Sequence, residues 1–237
     1  MVVSIHQPQY LPWLPYLLKI AESDVFIVLD SVDFQKNGIQ NRNQIKTAQG
    51  ASWLTVPVKH QLGQKILEIE INNSVDWRKK HWNTITQNYG KASAFKTHLA
   101  ELESIYLRDW DLLVDVNICL LKMLLRWMNI NTKILRSSQM QAIGKASDLI
   151  LNLCLEAKAD SYISGTGGKN YIDEESFKSA GIIIDYRPPI FPAQYPQQHS
   201  KVGFLNDLSA LDILLNCGKA WRNYVDSDSE KEMGLLS

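Results

Sequence analysis

The sequence has few cysteines and lacks the histidine and cysteine spacings that bind metals. Its three cysteines, Cys119, Cys154 and Cys217, are far apart, and two of them lie in apolar helical patterns. We therefore interpret them as reduced residues rather than disulfide partners. No Cys-x-x-Cys, His-x-His or His-Glu-x-x-His pattern occurs. Because zinc sites use such spacings, we expect no metal ligands of this kind.

An excess of charge of one sign is also lacking. The 25 basic and 25 acidic residues give a formal net charge of zero, which disfavours nucleic acid as a partner.

The longest apolar stretch, residues 112–128, contains Asp115, Lys122 and Arg126, so it predicts a buried helix and no membrane insertion. The first residues lack the basic and apolar regions of a signal peptide, and we expect a cytoplasmic protein.

The composition and the order of the apolar segments predict an α/β fold. With 45% hydrophobic and 21% charged residues, the chain has the balance of a globular protein. Residues 2–5 and 25–29 read as buried strands on either side of a helix at 14–21, which is a βαβ unit and implies a parallel sheet. Further strands are predicted at 133–136, 161–164 and 182–184, alternating with helices at 147–158, 173–180 and 208–224.

The segment between these parts is predicted to be a helical insertion. Residues 33–49 are polar and are not assigned to a strand, whereas 53–58 and 66–71 are predicted as strands. Three helices are predicted within about residues 74–130. We expect one α/β domain over residues 1–225, with a Rossmann-like parallel-sheet core, and a polar tail at 226–237.

Polar residues follow three of the predicted strands. His6 and Gln7 follow the first, Asp30 and Asp33 the second, and the loop at 165–169 a later one. Because ligands of open parallel sheets bind beyond the carboxyl ends of the strands, we predict a reaction centre there, provided that the strands are neighbours.

His6 is the strongest catalytic candidate, because histidine titrates near neutral pH and can act as a general base or acid. Asp30 is a second catalytic candidate that could orient His6 or hold magnesium. The alternatives are a buried histidine that fixes the loop and a carboxylate that caps a turn.

Two further segments have the residue types of ligand sites. Gly165, Gly167 and Lys169 are typical of an anion-binding loop, although the spacing is not that of a Walker A motif, and a tight turn before Tyr171 is the alternative. Arg42 can bind carboxylate or phosphate and is a third catalytic candidate; a solvated loop is its alternative. The substrate-binding candidates are Gln7, Tyr10, Trp13, Asp33, Asn41, Asn43, His81, Gly165, Gly167, Lys169 and Tyr171. For the aromatic residues and His81, core packing is the alternative.

The motifs resemble a known family. Three motifs stand out: residues 5–14 (IHQPQYLPWL), 40–43 (QNRN) and 53–58 (WLTVPV). They are followed by shorter motifs at 77–81, 162–165, 171–173, 195–197 and 211–218. Together these motifs make the sequence similar to the WbqC-like family over nearly the whole chain. Pro15 departs from the glycine expected in the family's Trp-Leu-Gly-Tyr run. The resemblance implies a bacterial protein of O-antigen (lipopolysaccharide) or other surface-polysaccharide biosynthesis.

A looser similarity concerns the order of strand, histidine-containing turn, helix and strand. It resembles the start of nucleotidylyltransferases and pantothenate synthetase, which implies a nucleotidylyltransferase-like core and binding of ATP through histidines. Only His6 is present here; the second histidine one turn later is missing.

Three hypotheses follow. The first is a transferase that moves an acyl or aminoacyl group from a carrier to a nucleotide-linked amino sugar. The second is a nucleotidyltransferase or ligase that uses ATP and magnesium; no cofactor is otherwise indicated. The third is a sugar-binding or scaffold protein without catalysis.

Overall fold

The chain begins with the βαβ unit that the sequence predicts. The protein is described here by a computed structural model over residues 1–225, and the predicted tail at 226–237 lies outside the described residues. Strand β1 (Val2–His6), helix α1 (Leu14–Ala21) and strand β2 (Val25–Val28) follow one another. The two strands are parallel neighbours, with Val3 opposite Val25 and His6 opposite Val28.

The insertion carries small strands as well as helices. Its elements are β3 (Arg42–Thr47), β4 (Gly50–Thr55), β5 (Val58–Lys59), β6 (Glu70–Ile71), α2 (Trp77–Tyr89), α3 (Phe95–Leu107) and α4 (Leu113–Trp127). Helices α2, α3 and α4 lie within residues 74–130.

Two strand predictions in the insertion need correction. The polar segment predicted without a strand contains β3, which pairs with β4 in a hairpin. Its amide side chains are buried because they bond to other backbone segments, as when Asn43 Nδ2 donates to the Leu11 carbonyl at 2.7 Å. The strand predicted at 66–71 is a 3-10 turn at Ile66–Glu68, and only β6 after it is paired. Glu68 holds this turn by accepting from the Lys65 N–H at 3.0 Å.

The chain then returns to the central sheet. Its remaining elements are β7 (Lys133–Arg136), α5 (Ala146–Glu156), β8 (Ser161–Gly165), α6 (Glu174–Ser179), β9 (Ile183–Arg187) and α7 (Ala210–Cys217). The last predicted helix, 208–224, is shorter than expected, because α7 ends at Cys217, before Gly218, where φ is +54° and a 3-10 segment begins.

All five strands of the central sheet are parallel, and their spatial order is β7-β2-β1-β8-β9. The direction of strand order reverses between β1 and β8. In open α/β sheets such a reversal leaves a crevice at the carboxyl ends of the two strands, where ligands bind. The predicted parallel-sheet core is therefore confirmed, and the strands that end at His6 and Gly165 are neighbours.

The sheet separates two apolar clusters. One contains Phe26 and Val28 with α1, α4 and α7, and the other contains Val3 and Ile5 with α5 and α6. Because strand side chains alternate between faces, His6 points to the face that carries α1. Within residues 1–225, no helix has both the length and the apolar character needed to cross a membrane.

Candidate functional site

A cleft of about 250 Å³ lies where the strand order reverses. The ends of β1, β8 and β9 and one face of α1 form its walls. Its lining residues are His6, Trp13, Pro15, Tyr16, Leu18, Lys19, Glu22, Gly165, Thr166, Gly167, Arg187, Pro188, Pro189 and Ile190. Four of the predicted site residues, His6, Trp13, Gly165 and Gly167, are thus brought together.

The face of α1 that lines the cleft carries both apolar and charged residues. Pro15, Leu18, Lys19 and Glu22 have the spacing of one helical face. The opposite side of α1 packs into the apolar cluster through residues such as Leu14 and Leu17. Helix α1 therefore buries one face in the core and presents two ionisable side chains, Lys19 and Glu22, to the cleft.

His6 is half-buried at the end of β1. Its Nδ1 lies 3.0 Å from the Gln7 carbonyl oxygen, which can only accept, so Nδ1 carries the proton and Nε2 keeps its lone pair. Burial, aided by the charge of Lys19, lowers the pKa of His6 to about 3. The ring packs edge-on against Tyr16, with centroids 5.1 Å apart. The imidazole is therefore neutral at pH 7, and its Nε2 has no partner within residues 1–225.

Arg187, at the end of β9, supplies a cation. Its Nε lies 2.7 Å from Asp185 Oδ2 and 3.7 Å from Glu22 Oε2. The Glu22 side chain is only 7% exposed, so this ion pair is anchored at the wall of the cleft. A guanidinium has five N–H donors in a fixed plane and can bind an anion while it contacts these carboxylates.

The predicted anion-binding loop is a 3-10 helix, Thr166–Asn170, that leads directly from β8. Gly165 and Gly167 line the cleft. Lys169 lies elsewhere, with Nζ 5.1 Å from the centre of the Tyr186 ring, and Tyr171 is 50% exposed. The loop thus contributes its first turn to the cleft and its lysine to a neighbouring surface.

Substituting alanine at Gly168 is expected to disturb this loop. A Cβ there would lie 2.1 Å from Ser164 Oγ and 2.9 Å from Ile172 Cδ1, and overpacking of this kind costs about 1–3 kcal/mol. Gly167→Ala is the matched control, because its Cβ would meet nothing within 4 Å. Urea denaturation of both variants measures the difference. Equal unfolding free energies for the two would contradict the packing argument.

Asp30 and Asp33 do not line the cleft. Asp30 is fully buried, and its carboxylate accepts from Arg136 Nε at 2.6 Å, from the Ser138 N–H at 2.9 Å and from the hydroxyls of Ser137 and Ser138 at 3.0 and 2.9 Å. Asp33 forms an exposed ion pair with Lys65 at 2.6 Å. The Asp30 carboxylate joins the end of β2 to the end of β7.

The amide-rich segment around Arg42 also lies outside the cleft. Arg42 stacks on Trp53, with 4.5 Å from the guanidinium carbon to the ring centre, and donates to the Asn37 carbonyl. Asn41 donates to the Val56 carbonyl at 2.9 Å. Gln7, next to His6, accepts from Gln40 Nε2 at 2.8 Å. These amides tie the loop after β1 to the hairpin that carries β3.

Tyr10 and His81 belong to a buried aromatic cluster. The Tyr10 hydroxyl lies 2.8 Å from both His81 Nδ1 and the Tyr106 hydroxyl. Burial lowers the pKa of His81 to about 4, so its ring is neutral at pH 7. The cluster fixes the turn after β1 on helices α2 and α3.

Sequence reasoning missed three charged cleft residues: Lys19, Glu22 and Arg187. The spacing of residues 15, 18, 19 and 22 on the predicted first helix was the available signal. Arg187 follows the predicted strand at 182–184 and thus fits the same strand-end rule that selected His6. Within residues 1–225, no group of three or more His, Cys, Asp or Glu side chains is placed to hold a metal ion.

Comparisons with known proteins identify a family and one similar protein. The model of the WbqC-like protein family matches residues 7–224. The uncharacterized protein Rv1507c of Mycobacterium tuberculosis is 34% identical over 226 residues, covering 94% of this chain and 96% of the relative. No solved structure matches the chain.

Proposed function

The chain belongs to the WbqC-like protein family, and from this membership and the chemistry of the cleft we propose that it transfers an acyl or aminoacyl group to a nucleotide-linked amino sugar. The reaction would take place in the cytoplasm during biosynthesis of O-antigen or another surface polysaccharide. That setting is the one implied by the sequence resemblance.

One observation carries the proposal: a neutral histidine and a cation share a cleft at the reversal of the strand order. His6 keeps a lone pair on Nε2, and Arg187 lines the same cleft. A substrate amine needs a proton acceptor when it attacks a carbonyl, and a nucleotide diphosphate needs a cation. His6 is assigned the first task and Arg187 the second.

The proposed reaction needs only these partners. The amine nitrogen attacks the carbonyl carbon of a thioester, a C–N bond forms, and the C–S bond breaks. His6 Nε2 takes the proton from nitrogen and gives it to the departing sulfur. Negative phosphates bound nearby raise the low pKa of His6 and so make it a better proton acceptor when substrate is present. Backbone N–H groups of the turn after Gly165 would stabilise the oxyanion.

The size of the cleft limits what enters it. Ligand pockets usually measure about 300–1,000 Å³. At about 250 Å³, the cleft is suited to one end of a sugar nucleotide, namely the amino sugar and the adjoining phosphate. Trp13 and Ile190 form an apolar wall, against which a sugar face or an acyl group can pack.

The proposal is tested by incubating purified protein with nucleotide amino sugars and a panel of acyl and aminoacyl thioesters. We expect a product whose mass equals the sugar nucleotide plus the acyl group, together with free thiol. A nucleotide sugar with hydroxyl in place of amine is the matched control and should give no amide. Absence of product with every amino-sugar and donor pair would end the proposal.

ATP-dependent nucleotidyl transfer is the second candidate. The same βαβ start, with His6 at the end of β1 and Arg187 nearby, favours a nucleotide phosphate in the cleft. Magnesium, if used, would be held by the phosphates and by single carboxylates such as Glu22. Calorimetry with ATP and magnesium decides: no binding, and no release of pyrophosphate with any sugar phosphate, would exclude it.

A further inference from the structure

The amine of Lys19 has no task in amide formation, yet it lines the cleft. Its side chain is half-buried, and its charge interacts with that of Glu22 one turn later on the same helix. An amine that lines a cleft at the reversal of the strand order is placed where a ligand of this fold would meet it.

The surroundings of Lys19 favour the uncharged amine. Leu18 and Pro15 lie beside it on the same helical face, and desolvation lowers its pKa to about 8. The charged and titratable groups around it are Glu22 on α1, His6 on β1 and Arg187 on β9. Glu22 acts against desolvation but does not outweigh it. A lysine desolvated by an apolar setting is a usual arrangement of amines that attack carbonyls.

We propose that Lys19 is a nucleophile that forms an imine with an aldehyde or ketone, and that Arg187 binds the phosphate of that substrate. This activity is separate from amide formation and does not require it. The phosphate is specified because Arg187, which lines the same cleft, is a strong anion ligand.

The reaction is balanced without any further reagent. The Lys19 nitrogen attacks the carbonyl carbon, and a proton moves from nitrogen to oxygen to give a carbinolamine. His6 Nε2 accepts a proton from nitrogen and returns it to the departing hydroxyl, which leaves as water. The product is a C=N bond, and hydrolysis by the reverse route releases the carbonyl compound.

Reductive trapping tests the proposal on the unmodified protein. Glycolaldehyde phosphate is added with sodium cyanoborohydride, which reduces an imine to a stable secondary amine, and labelled peptides are mapped by mass spectrometry over time. At about pH 7.5 roughly a quarter of Lys19 is unprotonated, against about 0.1% for an ordinary lysine. We expect Lys19 to be labelled at least about tenfold faster than the exposed Lys96.

Two variants and one analogue sharpen the result. Lys19→Arg keeps the charge and should abolish the fast label, whereas Lys96→Arg should leave it unchanged. Glycolaldehyde without phosphate should label Lys19 at least about threefold more slowly, and Arg187→Gln should remove that difference.

Labelling of Lys19 no faster than Lys96 would overturn the proposal, and equal rates for the two aldehydes would overturn the role of Arg187. Because the readout is a labelled lysine, it is independent of whether any acyl transfer is found.

Discussion

His6→Asn is expected to lower the rate of acyl transfer by about 10²- to 10⁴-fold, the usual contribution of a general base. Asparagine places an amide nitrogen near the position of Nδ1, so the hydrogen bond to the Gln7 carbonyl can be kept while Nε2 is lost. The variant therefore separates proton transfer from anchoring of the loop. Steady-state kinetics with the best amino-sugar and donor pair give the measurement.

A second histidine provides the control for this substitution. His60 packs against Phe34, with ring centroids 5.4 Å apart, and it does not line the cleft. His60→Asn should change the rate by less than about twofold. If His6→Asn has full activity while its unfolding free energy falls, then His6 anchors the loop and is not the proton acceptor.

The dependence of kcat/KM on pH is a second, independent test of the role assigned to His6. Because burial lowers the pKa of His6 to about 3, the free enzyme holds the imidazole neutral on both sides of pH 6.5. The kcat/KM profile reports groups of the free enzyme, so it should show no fall from His6 as pH decreases from 7 to 5. A limb centred near pH 6.5 that disappears in His6→Asn would contradict this assignment.

Local sequence patterns were sufficient for the parallel sheet and for placing His6 at the end of one of its strands. The run of apolar residues before His6 and the second run before Asp30 identify parallel strands, and the strand-end rule then selects the edge of the sheet at which the cleft lies. The same rule does not separate His6 from Asp30. That distinction depends on Arg136 and Ser138, which are more than 100 residues away in sequence and bond to the Asp30 carboxylate.

The amides near Arg42 illustrate a second limit. A dense group of Asn and Gln is typical of sugar binding, but it is equally suited to bonding exposed backbone carbonyls of a loop. Asn41 and Asn43 bond to the carbonyls of Val56 and Leu11, and neither partner could be identified from spacing. Lys19 was missed for the opposite reason: the apolar face of α1 dominates the pattern, and the cleft-facing residues lie just beside it.

Asp30→Ala is expected to destabilise the protein by about 3–5 kcal/mol, because removal of one member of a buried ion pair leaves the other without its partner. Arg136 is 25% exposed and would retain only Asp115, 3.6 Å away and 48% exposed. The loss would also leave the Ser138 N–H without its acceptor. Urea denaturation gives the change, and Asp33→Ala is the control.

The control removes a carboxylate of the same type from an exposed pair. Asp33 and Lys65 have side chains that are 61% and 46% exposed, and such pairs contribute about 0–1 kcal/mol. If Asp30 acts by joining β2 to β7, its variant should unfold at much lower urea, while the folded fraction keeps its activity. An Asp30→Ala protein as stable as Asp33→Ala but without transfer activity would instead assign Asp30 to the reaction, as the strand-end rule predicts.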